Sequence, residues 1–480
     1  MTKSKFLQKY RNFSPAAKAS FWFVVSNVML RGISFITLPV FSRILTPSEY
    51  GVVSLFSSWE TIISIFCTLT LWGGVLNIVL VKHGDERDKY IAAFQGLATT
   101  LTLTFFIITF IFINPFSKFS TLSPFLIACM YIQILSQTPF FIWQGKQRFD
   151  YKYKLIVAIS IIISILNPIL GYIAVINTEY KAEARIVVGV ILNFVIGLLF
   201  FFVNLRKGKT FFNKKIWVFA LQFNLVLIPH YLAQQILNQS DRIMINNMCS
   251  SNDTGIYSVA YSFAMLLTLV TNGINSSFTP FIYKCLKEKK YEKLSNTTTV
   301  LLIGLALMTV TMVCLIPDVF RLMLPESYYP AIWVIPSVAG AVFFMFLFPL
   351  FGSVEFYYEA KKYVTIASIL GALLNVGLNF IFIKIFGFIA AAYTTLFCYI
   401  CFSIFHYFAM KIVLKKQGVT ERIYDMKRII LISILLLISI IMLTLMYQNN
   451  IMRWCTLGAM FVLAVIFKEK IFNFVKELRG

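Results

Sequence analysis

The chain has 480 residues, of which 59% are hydrophobic, 16% are aromatic and only 13% are charged. A water-soluble domain carries about 25% charged residues because its surface needs them, so most of this protein's surface is predicted to face lipid. The net charge of +23 does not indicate nucleic acid as a partner, since the basic residues form short clusters between apolar runs, as in proteins oriented across a membrane.

The basic segment 1–19 is predicted to be a cytoplasmic tail, because the apolar run after it is too long for a cleaved signal peptide. Beyond it, successive apolar stretches can cross a core of about 30 Å at about 1.5 Å per residue. All are predicted to be helices, because open sheet edges are not stable in hydrocarbon. The 14 predicted spans, numbered in chain order, are residues 20–44, 52–81, 90–114, 124–145, 154–176, 185–204, 216–245, 255–283, 296–317, 330–353, 363–384, 386–410, 428–447 and 452–468.

Charge distribution predicts the orientation. If the N-terminus is cytoplasmic, the large majority of the 43 Lys and Arg residues fall on the inner side, as the positive-inside rule requires. We therefore expect a multi-pass protein of a bacterial inner membrane with both termini in the cytoplasm. All predicted outer loops are short, which disfavours a membrane glycosyltransferase or polymerase with a large external domain.

The two halves of the chain resemble each other at an offset of six spans. Residues 42–54 align with 246–258 in a polar turn, an acid, a Gly two residues later and a Ser. An even offset predicts a parallel repeat, and transporters of this kind bind substrate between their halves. The predicted fold is all-α, with two six-helix lobes and two extra C-terminal helices. The segments are an N-terminal lobe 20–204, a cytoplasmic linker 205–215, a C-terminal lobe 216–410, helices 13 and 14 in 428–468, and a cytoplasmic tail 469–480.

No catalytic, nucleotide-binding or metal-binding motif is present in the sequence. Cys398 and Cys401 form a CxxC without a second ligand pair, and His83, His230 and His406 are far apart. No metal, no cofactor and no enzymatic activity are predicted.

Arg31 is the clearest candidate for a functional residue, because a charge inside a membrane span is unfavourable and usually functional. Uncharged sequence flanks it from 19–30 and from 32–42. Asn27, Arg31 and Ser34 share one helical face, which is predicted to look inward and to contact substrate.

Glu60 is the only acid well inside a predicted span. At about 1.5 Å per residue, Arg31 lies about 18 Å below Arg43, and Glu60 lies about 13 Å below Gly51. The two side chains could therefore meet across spans 1 and 2. A structural ion pair, a charge that partly balances a substrate-binding cation, and a proton-coupling carboxylate all remain open for Glu60.

Span 7 carries a continuous polar stripe. His230, Gln234, Asn238 and Asp241 follow one another at spacings of four, four and three residues. Pro229 is predicted to break the backbone hydrogen bonding there, because it has no amide donor.

Span 4 carries a second polar stripe, which contains Gln133, Gln137 and Gln144. Such stripes can join helices, but two of them in a parallel repeat favour the lining of a water-filled cavity. Asp241 and Arg242, at the outer end of span 7, are interpreted either as an interfacial anchor or as participants in ion coupling.

Several segments resemble the polysaccharide flippases of the Wzx type, whose superfamily also contains MATE drug exporters and the lipid II flippase. Residues 38–51 (LPVFSRILTPSEYG) resemble the family's opening signature, and 238–245 with 255–257 resemble its junction of spans 7 and 8. Asn375 and Asn379, followed by 387–391, resemble its pattern in spans 11 and 12, although an isoleucine stands where a second glycine is expected. The resemblance covers about residues 15–415.

This resemblance implies a two-lobed fold with a central cavity and a substrate that is an oligosaccharide on undecaprenyl diphosphate. The substrate would cross from the cytoplasmic to the outer leaflet for O-antigen, capsule or another surface glycan. Arg31 would meet the diphosphate, since a buried negative charge needs a cation and guanidinium suits phosphate. Polymerase and chain-length proteins are implied partners. Energy coupling remains open, with Glu60 and Asp241 as candidates to bind H⁺ or Na⁺.

Three other functions remain in competition. A cation-coupled drug exporter of the MATE type would favour an acidic cavity, whereas the deep charge here is Arg31. A surface-glycan polymerase or ligase is disfavoured by the short outer loops and the repeat. A scaffold for other assembly proteins leaves Arg31 unexplained.

Overall fold

The computed structural model describes residues 14–466, which form helices and connecting turns with no β-strand in that range. The predicted all-α class is confirmed. In chain order the α-helices are α1 Pro15–Ile44, α2 Pro47–Thr68, α3 Gly74–Lys82, α4 Arg87–Ile111, α5 Ile113–Ser120, α6 Pro124–Phe149, α7 Lys154–Ile176, α8 Lys181–Gly208, α9 Lys214–Leu225, α10 Ile228–Met248, α11 Ser251–Ala264, α12 Leu267–Lys287, α13 Tyr291–Met323, α14 Ile335–Tyr357, α15 Lys361–Phe386, α16 Ala390–Lys416, α17 Met426–Leu445 and α18 Asn450–Ile466.

Eleven helical segments in residues 14–466 are long and apolar enough to cross a membrane, and the number rises to 13 if each of two bent pairs is one span. The described part of α18 has 17 residues, and the predicted end of span 14 and the C-terminal tail lie outside the described residues. The count of 14 spans therefore stays a prediction. Large apolar side chains are exposed along α7 and α17, which is how helices that face lipid differ from those of soluble proteins. The chain is a multi-pass membrane protein.

Capping residues explain where several helices begin. At the start of α2, the Glu49 amide donates to Thr46 Oγ1 (3.3 Å), and the Thr46 amide donates to Glu49 Oε2 (2.7 Å). This reciprocal capping box satisfies two amide groups that the first helical turn leaves unpaired. Proline in the first turn of α1, α2 and α6 reinforces these starts, since its φ is already helical.

One predicted span is interrupted. The sequence predicted a continuous helix over 52–81, which is wrong, because α2 ends at Thr68 and α3 starts at Gly74. Leu69 and Thr70 adopt positive φ of 51° and 52°, which an α-helix cannot accommodate. The apolar composition of the turn hid this break from a hydropathy pattern.

Span 7 is bent as predicted. It consists of α9 and α10, whose axes differ by 53°, and Pro229 occupies the first turn of α10. The missing proline amide interrupts the ladder of hydrogen bonds at this point, so the prediction for Pro229 is confirmed. Span 8 is also bent, by 43° between α11 and α12, and no proline or glycine occurs between them.

By its contacts the chain divides into two compact units, residues 1–255 and 256–480. In the first unit, α6 packs against α8, α4 and α2, around a core that includes Leu55, Trp59 and Met130. In the second unit, α14 is buried along most of its length and packs against α16, α12 and α13. The lobe boundaries given in the sequence analysis stay a prediction.

Within the first unit, the starts of α2 and α11 touch backbone to backbone. A Cβ atom on Gly51 would lie 1.9 Å from the Ser251 carbonyl oxygen, and one on Gly255 would lie 1.8 Å from the Pro47 carbonyl oxygen. These glycines are equivalent in the predicted repeat. The Ser250 hydroxyl accepts from the Asp253 amide (3.1 Å), as Thr46 does from Glu49, so the matched sequence pattern encodes two similar helix starts that meet.

Candidate substrate-binding site in the first unit

Arg31 lies in the middle of α1, and its side chain is exposed. Asn27 and Ser34 on the same face are exposed as well. Helix α1 packs mainly against α7, so this polar face is not covered by the first unit. The structure therefore presents Arg31, Asn27 and Ser34 together on an exposed face of α1.

A pocket of about 230 Å³ lies beside the same stretch of α1, within the first unit. Leu30 forms its wall on α1, and Gln137 and Gln144 contribute from α6. Typical small-molecule pockets measure about 300–1,000 Å³, so this one fits a single ring or substituent of a larger ligand. The remaining lining residues come from α6, α7 and α8 and are Ser136, Phe140, Phe141, Ser160, Ile163, Ser164, Asn193 and Ile196.

The polar stripe of span 4 is only partly brought together. Gln137 and Gln144 line the pocket, whereas Gln133 does not. Gln133 is 9% exposed, and its Oε1 has no hydrogen-bond partner among the described residues. Leaving a buried carbonyl oxygen unpaired costs about 1–3 kcal/mol, which makes Gln133 a candidate for a water or a ligand hydroxyl.

The polar residues in the stripe of span 7 differ in burial along α10. His230 is half-buried with no described partner for Nδ1, Gln234 is exposed and Asn238 is half-buried. Asp241 is fully buried. The Asn238 side chain donates to the Gln234 carbonyl oxygen (2.9 Å), so the stripe combines an open part with a buried end.

Arg242 takes part in the packing of α10 against α2. Its Nη1 donates to the Asn238 carbonyl oxygen (2.9 Å) and to Gln239 Oε1 (3.4 Å). The same Gln239 oxygen accepts from the Ser58 hydroxyl (3.2 Å). Sequence reasoning missed Ser58 and Gln239, because neither differs in pattern from an ordinary polar residue.

Glu60 is half-buried on α2 and makes no hydrogen bond or ion pair with any residue in 14–466. The structural ion pair with Arg31, one of the open interpretations, is therefore not formed in this structure. The carboxylate is available for a role in charge balance or ion coupling, and both interpretations stay predictions.

A second cation of the first unit was not singled out by the sequence. Arg185 on α8 donates from Nη1 to Asn167 Oδ1 (2.6 Å), and its guanidinium lies 4.5 Å from the Phe41 ring centre. It forms no ion pair within residues 14–466.

The second unit contains a buried acid that the sequence analysis overlooked. Glu355 on α14 is fully buried, and its Oε1 lies 2.9 Å from Nδ1 of His406 on α16. Glu355 was not singled out because it lies beyond the predicted end of span 10 at residue 353, whereas α14 continues to Tyr357. A histidine that seemed scattered in the sequence acquires its partner through packing.

Comparison with known proteins identifies the family. A family model described as "Polysaccharide biosynthesis protein" matches residues 16–286, more than half of the chain. The chain belongs to this family. A second model, MatE, matches residues 227–381, and the predicted resemblance to the flippases and their superfamily is confirmed.

Curated relatives of this family member come from Haemophilus influenzae. A protein of the Lsg locus is 23% identical over 287 residues, covering 57% of this chain and 67% of the relative. A membrane protein of the same organism is 22% identical over 380 residues, covering 75% of this chain and 88% of the relative.

Solved structures with the same fold include transporters. The lipid II flippase MurJ, in an inward closed conformation, has a TM-score of 0.68 and 15% identity, covering 94% of this chain and 99% of MurJ. An inward-facing MATE multidrug transporter has a TM-score of 0.65 and 14% identity, covering 82% and 96%. This family member therefore shares its fold with these transporters.

Proposed function

We propose that this protein is a flippase that moves an oligosaccharide on undecaprenyl diphosphate from the cytoplasmic to the outer leaflet, for assembly of O-antigen, capsule or another surface polysaccharide. The observation that carries the proposal is the exposed Arg31 guanidinium at the middle of α1, with uncharged sequence on both sides at 19–30 and 32–42. A charge at this depth is unfavourable unless it serves an interaction, and a diphosphate supplies the matching charge.

The chemistry of the neighbouring groups supports a glycan substrate. A diphosphate cannot enter hydrocarbon without a compensating cation, and the planar guanidinium can contact two phosphate oxygens at once. The pocket beside α1 offers amides and hydroxyls, among them Gln137 and Gln144, which can exchange hydrogen bonds with sugar hydroxyls. Asn27, His230, Gln234 and Asn238 extend the proposed polar surface, and the prenyl chain remains in lipid.

The proposed mechanism is alternating access through a central cationic cavity, driven by H⁺ or Na⁺. Glu60 is the preferred coupling group, because its half-buried carboxylate has no partner in the described chain. Binding of a cation there would neutralise a charge that is otherwise poorly solvated. The flipped unit would next be used by a polysaccharide polymerase and its chain-length partner, in a cell whose inner membrane holds this protein with both termini in the cytoplasm.

The test is the sidedness of the lipid-linked glycan in cells. Deletion of the gene and Arg31→Ala are expected to trap complete units on the cytoplasmic leaflet, whereas Arg31→Lys should retain partial export because the charge remains. Arg321→Ala is the matched control, since Arg321 is exposed on α13 and makes no described contact. Normal arrival of units at the outer leaflet in the deletion strain would reject the proposal.

A MATE-type exporter is the second candidate, and the unpaired Glu60 carboxylate is the observation in its favour. In that case the deletion would leave the glycan distribution unchanged and would raise sensitivity to cationic drugs. Glu60→Gln would reproduce the drug sensitivity, while Arg31→Ala would not.

A further inference from the structure

A basic pocket lies within the second unit. It measures about 1180 Å³ and is formed by the end of α16, the connection 417–425 and the starts of α13 and α17. Helix α16 packs mainly on α14 and α15, whereas α17 packs on α13 and α14. The two helices joined by the connection share α14 but differ in their other neighbour, and the pocket lies where they are joined.

Specific contacts hold the connection in place. Tyr424 is buried, and its hydroxyl donates to the Leu350 carbonyl oxygen of α14 (3.1 Å). The Asp425 amide donates to the Ser295 hydroxyl of α13 (2.9 Å), and the Asp425 carboxylate accepts from the Arg428 amide at the start of α17 (3.2 Å). The wall of the pocket is thus tied to three helices of the unit.

Only some of the charged side chains in the pocket form ion pairs. Asp425 is engaged by Arg428, whose Nε lies 3.0 Å from Oδ2. Four other cations in the lining are exposed and form no ion pair within residues 14–466, and only two further carboxylates lie among them. These cations are Lys411, Lys415, Arg422 and Lys427, and the carboxylates are Glu292 and Glu421.

Apolar side chains lie beside the basic residues of this pocket. Phe408 and Ile412 line the pocket on the same helix as Lys411 and Lys415, and they are 55% and 46% exposed. Ile430 and Leu431 are exposed near the start of α17. Exposed aliphatic and aromatic groups beside several cations match the chemistry of a phospholipid, which joins a phosphate to acyl chains.

We propose that this pocket binds one anionic phospholipid, with the phosphate among Lys411, Lys415 and Lys427 and the acyl chains against Phe408 and Ile412. Basic pockets between helices on the cytoplasmic side are suited to anionic headgroups, and long lysine side chains reach the interface from an apolar helix. The occupant stabilises the divergence of α16 and α17. The proposal does not depend on which solute the protein transports.

The experiment uses the full-length protein in nanodiscs of phosphatidylcholine, alone or mixed with phosphatidylglycerol, and counts retained lipid by native mass spectrometry. The wild type is expected to retain phosphatidylglycerol selectively. The Lys411→Gln/Lys415→Gln variant should bind it about thirtyfold more weakly, because each cation near a headgroup contributes about a fivefold step.

Lys284→Gln/Lys287→Gln is the matched control, since these two lysines are exposed at the end of α12 and lie outside the pocket. Equal loss in the control pair, or no preference for phosphatidylglycerol in the wild type, would overturn the proposal. Displacement of the lipid by inorganic phosphate alone would also overturn it and assign the pocket to a free anion.

A variant with stronger binding separates a loss of lipid binding from a folding defect in the Lys411→Gln/Lys415→Gln protein. Glu421→Gln removes an acid from the lining and is expected to strengthen retention of phosphatidylglycerol about fivefold. Unchanged or weaker retention in this variant, with wild-type thermal unfolding, would contradict the assigned pocket.

Discussion

The contact between α2 and α11 makes a sharp prediction about Gly51. In Gly51→Ala the new Cβ would lie 1.9 Å from the Ser251 carbonyl oxygen, whereas real Cβ contacts are essentially never below 3.0 Å. The two helix starts must therefore separate by about 1.1 Å at this point. Both partners are backbone, so no flexible side chain can move aside.

The expected loss of stability follows from this displacement. Overpacking of a tight contact costs about 1–3 kcal/mol, and a gap of 0.5–1 Å forfeits about a quarter to a half of the dispersion energy of the separated atoms. The better helix propensity of alanine offsets at most about 1 kcal/mol of this destabilisation. We expect Gly51→Ala to lower the free energy of unfolding by about 2 kcal/mol.

The assay is thermal unfolding of the purified protein, followed by tryptophan fluorescence. Gly304→Ala is the control, because a Cβ on this exposed glycine of α13 meets nothing within 4 Å, and it should unfold at or slightly above the wild-type temperature. Gly255→Ala should resemble Gly51→Ala, and the double variant should lose less than the sum, because both act on one contact. Wild-type unfolding of Gly51→Ala would refute the close approach of the two helices.

Three further predictions concern single side chains. Asp318→Asn should destabilise the second unit by about 3–5 kcal/mol, because Arg453 is fully buried and its Nη1 lies 2.9 Å from Asp318 Oδ2; thermal unfolding tests this, and Asp318→Leu/Arg453→Met should recover most of the loss. Gln137→Leu should slow glycan export about tenfold with unchanged unfolding, since one hydrogen bond to substrate is lost; normal export in vesicles would contradict its place in the site. Glu60→Gln should remove the dependence of export on an imposed H⁺ or Na⁺ gradient, and a persisting dependence would move the coupling site elsewhere.

Local patterns accounted for much of the fold. The largely apolar run 154–176 predicted the bounds of α7 as the structure has them. A lysine marks its start and an asparagine follows its end, and the helix continues through the proline inside it. Pro229 marked the bend of span 7 for an equally local reason. The break after Thr68 was missed because Leu69 and Thr70 resemble their neighbours in hydropathy. A hydropathy pattern does not report backbone dihedral angles, so it cannot show their positive φ.

The candidate site was predictable only in part. Arg31 stands out in the sequence because a charge in an apolar run has a physical penalty that needs no neighbour to be recognised. The pocket required four helices to converge on Gln137 and Gln144, and Arg185 acquired Asn167 and Phe41 only through the packing of α8 on α1 and α7. Sequence spacing places residues on one helix face, but it does not say which neighbouring helix that face meets.

Composition, hydropathy and charge asymmetry thus determined by themselves that this is an all-helical membrane protein, because the bilayer imposes length and internal hydrogen bonding on every span. Tertiary structure alone decided the pairing of Glu355 with His406, the burial of Arg453 against Asp318 and the basic pocket at the end of α16. The physical reason is the separation along the chain over which each interaction acts. Solvation by lipid and backbone hydrogen bonding act on neighbouring residues, whereas ion pairs and pockets join side chains far apart in the chain and exist only after the helices have packed.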